Sequence, residues 1–399
     1  MCRPRFLYNR GGMDRKPIDL SPPVITEAEV EAVAAVLRSG WLTHGPRTRE
    51  FEQKFRALVG ASHALAVSSG TAALHLALAA AGVGPGDEVV TTPLTFAATA
   101  EPIFYQRAVP VFADVDPVTG NLDPAAVEKA ITKKTRAVLV VHLGGYPAEM
   151  TAFESLCAAR GLFLIDDAAH AVETLCKGRR VGTLGDATCF SFYVNKNLTT
   201  GEGGMLLTPH ADWARRAAVL RLHGMDRDAW DRYAAGGTPG YDIIEPGYKY
   251  NTTDIASALG LVQLTRIEEG YRRRLELARA YDEALADLPG IELPPRPDPE
   301  SGDRHAWHLY VVRVIDGECP LGRNALAAGL RELSVATSVH YHPLHLMTLY
   351  RREFGGREGQ FPEAERLGRE RLTLPFSAVY GPEVARGVAG RMRAVIERG

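Results

Sequence analysis

Lys196 is the residue of this chain whose surroundings most favour covalent chemistry. Phe190 and Phe192 precede it and Leu198 and Met205 follow it, so the lysine interrupts an apolar stretch. Apolar neighbours keep water away from an amine, which lowers its pKa and makes it a better nucleophile toward carbonyl groups. A lysine that simply reaches past an apolar surface to solvent has the same sequence pattern. Two features upstream favour the catalytic interpretation.

The first of these is Ser68-Ser69-Gly70-Thr71, which lies between an apolar strand-like run and a predicted helix. Free backbone N–H groups and the positive end of the helix dipole favour an anion there, and Thr71 adds a hydroxyl donor. We therefore expect a phosphate near Gly70 and Thr71, although an ordinary helix cap uses the same residue types. The segment lacks the G-x-x-x-x-G-K-[ST] pattern, which disfavours hydrolysis of nucleoside triphosphates.

The second feature is a pair of acids, Asp166 and Asp167, at the end of an apolar run. Successive side chains of a strand point to opposite faces, so only one of the two is expected in a site. A buried carboxylate needs a cationic or N–H partner. A structural ion pair is one alternative, and a metal site with His170 is another. We expect no metal, because no convincing further ligand stands at zinc spacing.

These three features together match the requirements of pyridoxal 5′-phosphate (PLP). Its phosphate needs a helix N-terminus such as that at Gly70 and Thr71, and its aldehyde needs an amine such as Lys196. Its ring nitrogen needs an acid such as Asp167 to remain protonated. The combination is far more specific than any one feature.

The elements that must position these residues are short apolar runs alternating with helix-length segments. The runs predict buried strands, namely Ala64 to Val67, Val89 to Thr92, Val111 to Ala113, Ala137 to Val141, Leu162 to Ile165, Ala187 to Phe192 and Met205 to Leu207. Runs that are apolar on both faces predict an α/β fold with a mostly parallel sheet covered by helices. Ligands of such sheets bind beyond the carboxyl ends of the strands.

Periodic patterns outside the predicted sheet indicate helices and a second unit. A helix is predicted to begin after a capping box at Thr26 and Glu29 and to end at Gly40, and one long helix is predicted from Asp254 to Leu288. The smaller C-terminal α/β unit is predicted to hold strands at His305 to Val314 and Ala336 to Tyr341, with helices near 322–333, 362–371 and 382–397. We expect a flexible extension over residues 1–19, a large domain over 20–265 and a small domain over 266–399.

Composition narrows the class of protein. The 399 residues carry a net charge of −2, which offers no general attraction to nucleic acid or to an anionic membrane. Five widely spaced cysteines favour a reducing, cytoplasmic setting. No run approaches the length of a membrane span, and the basic N-terminus lacks the apolar core of a signal peptide. Met13 is an alternative start to Met1.

The sequence resembles the DegT/DnrJ/EryC1/StrS sugar aminotransferases from about Leu20 to the C-terminus, nearest to the 4-amino-sugar enzymes such as UDP-4-amino-4-deoxy-L-arabinose aminotransferase. The segments that carry the resemblance are Ser68-Ser-Gly-Thr-Ala-Ala73, Pro93-Leu-Thr-Phe-Ala-Ala-Thr99, Ile165-Asp-Asp-Ala-Ala-His170, Ser191-Phe-Tyr-Val-Asn-Lys-Asn197, Thr200-Gly-Glu-Gly-Gly204, Gly247-Tyr-Lys-Tyr-Asn-Thr-Thr-Asp254, Trp41-Leu-Thr-His-Gly-Pro46 and His223-Gly-Met-Asp-Arg-Asp-Ala-Trp230. One departure is Asp166, where members usually carry glutamate.

The resemblance implies a PLP-dependent aminotransferase of fold type I with Lys196 as the residue that forms the internal aldimine. It implies further cofactor contacts, with Thr71, Ala72 and Ser191 holding the phosphate, Asp167 at the ring nitrogen, His170 and Phe96 near the ring faces, and Asn251 reaching the cofactor phosphate of a neighbouring subunit. A homodimer with shared sites follows from that last contact. Substrate contacts are expected more weakly from the loop carrying Thr43 and from His340 and Tyr341.

The function expected from this resemblance is a ping-pong transfer of an amino group from glutamate to a nucleotide-linked keto-sugar, foremost a 4-keto sugar. Cyclitol (inosose) aminotransferases and aminohydroxybenzoate synthases keep the lysine and remain alternatives, whereas sugar 3-dehydratases replace it by histidine. A non-enzymatic regulator is disfavoured because no basic helix pair for DNA binding is present. The choice of sugar is expected to depend on loops whose conformation the sequence does not predict. These loops are Trp41 to Pro46, Asp226 to Tyr241 and Pro343 to Arg352.

Overall fold

A seven-stranded sheet lies at the centre of the molecule. The computed structural model describes residues 17–226 and 240–398. Its strands are, in chain order, β1 (His63–Val67), β2 (Glu88–Thr91), β3 (Val109–Phe112), β4 (Thr135–Val141), β5 (Phe163–Asp167), β6 (Leu175–Cys176), β7 (Arg179–Arg180), β8 (Ala187–Ser191), β9 (Gly204–Thr208), β10 (Ile291–Glu292), β11 (Tyr310–Val314) and β12 (Arg371–Leu374).

The central sheet has the strand order β1-β9-β8-β5-β4-β2-β3. Neighbours are parallel from β8 to β3, and β9 runs antiparallel to both of its neighbours. All seven predicted apolar runs therefore form strands of one mostly parallel sheet, as the sequence indicated.

Helices cover both faces of this sheet and continue into the C-terminal part. In chain order they are α1 (Glu27–Ser39), α2 (Pro46–Val59), α3 (Gly70–Ala80), α4 (Ala97–Tyr105), α5 (Pro124–Ala130), α6 (Met150–Arg160), α7 (Ala211–Leu220), α8 (Asp254–Leu264), α9 (Ile267–Leu285), α10 (Arg323–Glu332), α11 (Thr348–Phe354), α12 (Pro362–Glu370) and α13 (Pro382–Ile396). The core on one face includes Phe51 and Phe55 of α2 and Phe153 of α6. The other face is covered by α3 and α7.

Helix α1 begins and ends as its sequence predicts. Thr26 and Glu29 form the capping box, with the Glu29 carboxylate accepting hydrogen bonds from the Thr26 backbone and hydroxyl at 2.9 and 2.6 Å. Gly40 ends the helix with φ of 75°, a conformation that glycine adopts without steric cost.

The C-terminal part is a three-stranded antiparallel sheet, β10-β11-β12, packed against α9, α10 and α13. The predicted strand at Ala336 to Tyr341 is wrong, because only Ser338 pairs, with Thr373, before the chain turns into the cavity described below. The third strand is β12 instead. The predicted strand from His305 is shortened to Tyr310–Val314, since the backbone of residues 306–309 bonds to Gly144 and Gly145 beside the central sheet.

The single long helix predicted from Asp254 to Leu288 is also wrong, because it breaks into α8 and α9. The Thr265 hydroxyl donates to the Val262 carbonyl at 2.7 Å, a side-chain bond that competes with the helical ladder. Arg266 leaves helical geometry, with φ of −117° and ψ of 12°, and its guanidinium pairs with buried Glu29 of α1. This long-range ion pair has no signature in the local apolar pattern.

The expected N-terminal extension lies outside the described residues up to position 16. Residues 17–19 are described and are fixed to the C-terminal part. Ile18 forms a parallel bridge with Val335, and the Tyr380 hydroxyl donates to the Asp19 carbonyl at 2.8 Å. The predicted loop at Asp226 to Tyr241 lies largely outside the described residues.

Candidate active site

A cavity of about 650 Å³ lies beyond the carboxyl ends of β4, β5 and β8, where parallel sheets bind ligands. This volume falls within the range of roughly 300–1,000 Å³ that is usual for small-molecule sites. The predicted residues that line it are Gly70, Thr71, Phe96, Asp167, His170, Ser191, Lys196, His340 and Tyr341. The fold thus brings together nine side chains or backbone segments from distant parts of the chain.

Lys196 lies in the turn that follows β8, with its backbone N–H bonded to the Tyr193 carbonyl at 2.9 Å. Burial lowers the pKa of its amine to about 8, although the Asp167 carboxylate acts in the opposite direction. A buried amine with this pKa is partly neutral near pH 8, the form that attacks a carbonyl carbon. The pKa is lowered as the sequence predicted, although Phe190, Phe192, Leu198 and Met205 lie in the core and do not line the cavity.

Asp167 is the last residue of β5 and faces the cavity. Its carboxylate accepts hydrogen bonds from the Thr99 hydroxyl at 2.7 Å and from the Ala169 N–H at 3.1 Å. Burial raises its pKa, while Thr99, Ala169 and Lys196 each stabilise the charged form. The carboxylate is thus held in a fixed orientation at a place where a cation would be strongly favoured.

Asp166 points to the opposite face of the sheet, as strand alternation predicts. It is fully buried, accepts one hydrogen bond from Thr188 at 3.1 Å, and its Oδ1 has no hydrogen-bond partner among the described residues. Burial raises its pKa well above the ordinary value. Asp166 is therefore separated from the cavity by the backbone of β5.

The N-terminus of α3 forms one wall of the cavity. Ser69 caps this helix by accepting the Ala72 N–H at 3.1 Å. Ala72, predicted to hold the phosphate, is not among the residues that line the cavity. Gly70 packs closely against β8, where an added Cβ would lie 2.9 Å from the Ser191 Cβ. Only glycine lets the helix end approach Ser191 this closely. Thr71, the next residue, also lines the cavity.

His170 lies beside Asp167 on the wall of the cavity. Its Nδ1 accepts the Gly144 N–H at 3.2 Å, and its Nε2 lies 3.3 Å from the Tyr341 hydroxyl. Burial lowers its pKa well below the ordinary value, so the ring is neutral and carries its proton on Nε2.

Phe96 is 62% exposed at the mouth of the cavity, and its ring centroid lies 6.2 Å from that of Tyr341. His340 bonds to Thr373 at 2.7 Å, and burial lowers its pKa to about 4.

Besides Ala72, two predicted contacts lie away from this cavity. Asn251 pairs with Val67 at the edge of the central sheet, and its Oδ1 is buried with no hydrogen-bond partner among the described residues. Thr43 is exposed, and its carbonyl accepts the Asp254 N–H at 3.1 Å. The described chain alone does not bring either residue to Lys196.

Sequence reasoning missed the hydroxyls behind Asp167. Thr95 and Thr99 lie 2.7 Å apart, and because Thr99 donates to Asp167, Thr95 donates to Thr99. Both threonines stand in the segment Pro93 to Thr99, which carries the family resemblance. That resemblance was the available signal, since Thr95 precedes α4 and helical spacing does not relate it to Thr99. Further lining residues that were not predicted include Ser69, Asn195, Glu202 and Val339.

The cavity fits PLP by the chemistry of its donors. A helix N-terminus with a hydroxyl suits the phosphate, an amine of lowered pKa suits the aldehyde, and an oriented carboxylate suits a protonated ring nitrogen. Residues 17–226 and 240–398 contain no group of three or more His, Cys, Asp or Glu side chains placed to hold a metal ion. Of the helices in the same ranges, none is long and apolar enough to span a bilayer.

Comparison with known proteins agrees with this geometry. Residues 23–393 match the DegT/DnrJ/EryC1/StrS aminotransferase family. The chain is 47% identical over 357 residues to the spore coat polysaccharide biosynthesis protein SpsC of Bacillus subtilis, covering 89% of this chain and 91% of that protein.

Solved structures are similar over nearly the whole chain. Spr1654 from Streptococcus pneumoniae in its PLP-form has 31% identity and a TM-score of 0.88, covering 96% of this chain and 99% of that one. DesI in the presence of its TDP-sugar product has 34% identity and a TM-score of 0.85, covering 97% and 94%. The chain therefore belongs to the DegT/DnrJ/EryC1/StrS aminotransferase family and is a PLP-dependent sugar aminotransferase.

Proposed function

We propose that this enzyme transfers an amino group from glutamate to the keto group of a nucleotide-linked sugar, with a 4-keto sugar as the expected acceptor. The observation that carries the proposal is one cavity that holds both a lysine of lowered pKa and an oriented carboxylate. Support for a nucleotide-linked substrate comes from DesI, a relative that was crystallised with its TDP-sugar product. The polysaccharide role in the name of SpsC is in keeping with an amino-sugar product.

PLP, when bound, would supply an aldehyde for the amine and a protonated ring that withdraws electrons from the reacting carbon. Lys196 would provide the amine and would move a proton at the substrate carbon, a task suited to a pKa of about 8. Asp167 would keep the ring nitrogen protonated, because the pair of opposite charges offsets the cost of burying the carboxylate.

The remaining cavity residues would bind and orient. The Thr71 and Ser191 hydroxyls and the backbone at Gly70 would hold the phosphate at the start of α3. The neutral ring of His170 would lie against the cofactor ring without adding a competing positive charge. Tyr341 accepts the Nε2–H of His170, so its own hydroxyl hydrogen is available to a substrate oxygen.

We further propose that the active form is a homodimer. Two large apolar side chains that line the cavity, Phe96 (62%) and Tyr193 (46%), are exposed. Exposed apolar side chains beside a site are typical of a protein interface. The unpartnered Oδ1 of Asn251 lies on a sheet edge outside the cavity, which suits a role toward a second subunit.

The test is a substrate screen with the PLP-loaded protein, labelled glutamate and a panel of keto-sugar nucleotides and cyclitol ketones. The expected result is label in an amino sugar nucleotide and release of 2-oxoglutarate. Amination of only the cyclitol ketone would refute the sugar assignment.

Mixing inactive Lys196→Ala and Asn251→Ala proteins tests the dimer, since shared sites predict partial recovery of activity in the mixed species and independent sites predict none.

A further inference from the structure

Asn197 directly follows Lys196, and each polar atom of its side chain is bound. Its Nδ2 donates to Glu173 Oε2 at 2.8 Å and to the Ala306 carbonyl at 3.0 Å, and its Oδ1 lies 3.1 Å from His308 Nδ1. Because Nδ2 is the donor, Oδ1 is the acceptor, and His308 carries its proton on Nδ1. The side chain of Asn197 therefore has one defined orientation.

His308 also supports the wall of the active-site cavity. Its ring centroid lies 4.3 Å from that of His170, with an angle of 33° between the planes. Burial lowers the pKa of both rings well below the ordinary value, so the contact joins two neutral imidazoles. His308 thus holds Asn197 through its ring edge and His170 through its ring face.

A buried ion pair between Glu173 and Arg274 completes the cluster. Their side chains are 0% and 5% exposed, and the guanidinium also reaches the Ala306 carbonyl. Burial raises the pKa of Glu173 and lowers that of Arg274, and each charge opposes the shift of the other. Arg274 and His308 belong to the C-terminal part of the chain. The cluster therefore fixes the turn of Lys196 to that part.

We propose that Asn197 is a positioning residue for Lys196, and that His308 and the Glu173–Arg274 pair hold it in place. Through these contacts the C-terminal part of the chain fixes both the orientation of the Lys196 amine and the position of the His170 ring. This inference rests on the proposed function only in taking Lys196 as the reacting amine.

The pKa of Lys196 provides a readout of this positioning. The charged group that faces the amine is Asp167, and the nearby rings of His170, His308 and His340 have pKa values lowered mainly by burial. Enclosure is the largest cause of the low pKa of the lysine. A turn released from its anchor admits water, so the pKa of the amine rises toward 10.5.

The experiment measures acylation of Lys196 against pH by mass spectrometry, using the full-length protein without cofactor. The wild-type midpoint is expected near pH 8. For Asn197→Ala the midpoint is expected to rise by about one unit or more. Val388→Ala, a core change in α13 away from the cavity, serves as a control for lost stability and is expected to keep the wild-type midpoint.

Two variants of His308 distinguish the hydrogen bond that its ring edge makes to Asn197 from the contact that its ring face makes with His170. His308→Gln keeps an N–H donor for Asn197 and is expected to keep the midpoint, whereas His308→Phe keeps a ring without the donor and is expected to raise it. Any other pattern in this pair, or an unchanged midpoint in Asn197→Ala, overturns the proposal. Failure of the wild-type protein to aminate any sugar would instead count against the proposed function, because the labelling is done without cofactor or substrate.

Discussion

Replacement of Thr99 by valine tests how Asp167 is kept ready for the cofactor. The hydroxyl of Thr99 donates to the carboxylate at 2.7 Å and is itself fixed by Thr95. Valine keeps the shape of threonine but removes both this donor and the acceptor for the Thr95 hydroxyl. A hydrogen bond to a charged group contributes about 1.5–3 kcal/mol, which corresponds to a rise of about 1–2 units in the pKa of Asp167.

The sign of the effect follows from the environment. Burial already raises the pKa of Asp167, and Thr99 opposes that shift, so loss of the donor moves the pKa further upward. A carboxyl group that is protonated more readily is a poorer partner for a protonated ring nitrogen. We expect PLP to bind Thr99→Val about 10–150-fold more weakly than the wild type, with the largest deficit at low pH.

The assay is a titration of the protein with PLP, followed by visible absorption between about pH 6 and 9. Thr99→Ser retains the donor and is expected to lie close to the wild type. Thr95→Val removes only the outer hydroxyl and is expected to cost a few-fold, in line with about 0.5–1.5 kcal/mol for a neutral hydrogen bond. Equal affinity of Thr99→Val and the wild type at every pH would refute the reasoning.

Three further outcomes are expected. Asp167→Asn should lower kcat by about 10²–10³-fold, as removal of a preorganised charge does. Asp166→Asn, on the other face of β5, should retain most activity. Equal losses of kcat in the two variants would contradict the assignment of Asp167, and not Asp166, to the active site. Reductive alkylation of Lys196 in the cofactor-free protein should rise with pH around 8 and level off above it, since the pKa is lowered to about 8 and the neutral amine is the nucleophile; a rise centred on 10.5 would show a solvated lysine. Arg274→Ala leaves the buried carboxylate of Glu173 without its cation and should lower the free energy of unfolding by about 3–5 kcal/mol in a denaturant titration. The control Arg273→Ala removes an exposed ion pair and should lower it by less than about 1 kcal/mol.

The sequence predicted the parts of the fold that depend on local periodicity. Apolar runs located all seven strands of the central sheet, and alternation along β5 separated Asp167 from Asp166. The helix cap at Thr26 and Glu29 is also local and was predicted correctly. These features depend on neighbours within a few residues, so a single sequence contains them.

The errors arise where distant contacts decide the local structure. Arg266 interrupts the long predicted helix because it pairs with Glu29, which lies 237 residues earlier in the chain. The segment before Tyr341 lines the cavity instead of pairing along a strand. The hydrogen bond from Thr99 to Asp167 likewise joins residues 68 positions apart, so it could be identified only in the folded chain.

The position of the reactive amine is the central claim, and reduction of the PLP-loaded protein with borohydride tests it directly. Peptide mass spectrometry of the product then locates the pyridoxyl group. We expect that group on Lys196, with no labelling in Lys196→Ala and loss of the visible absorption band in that variant. A pyridoxyl group found on another lysine, or a fully active Lys196→Ala protein, would contradict the account.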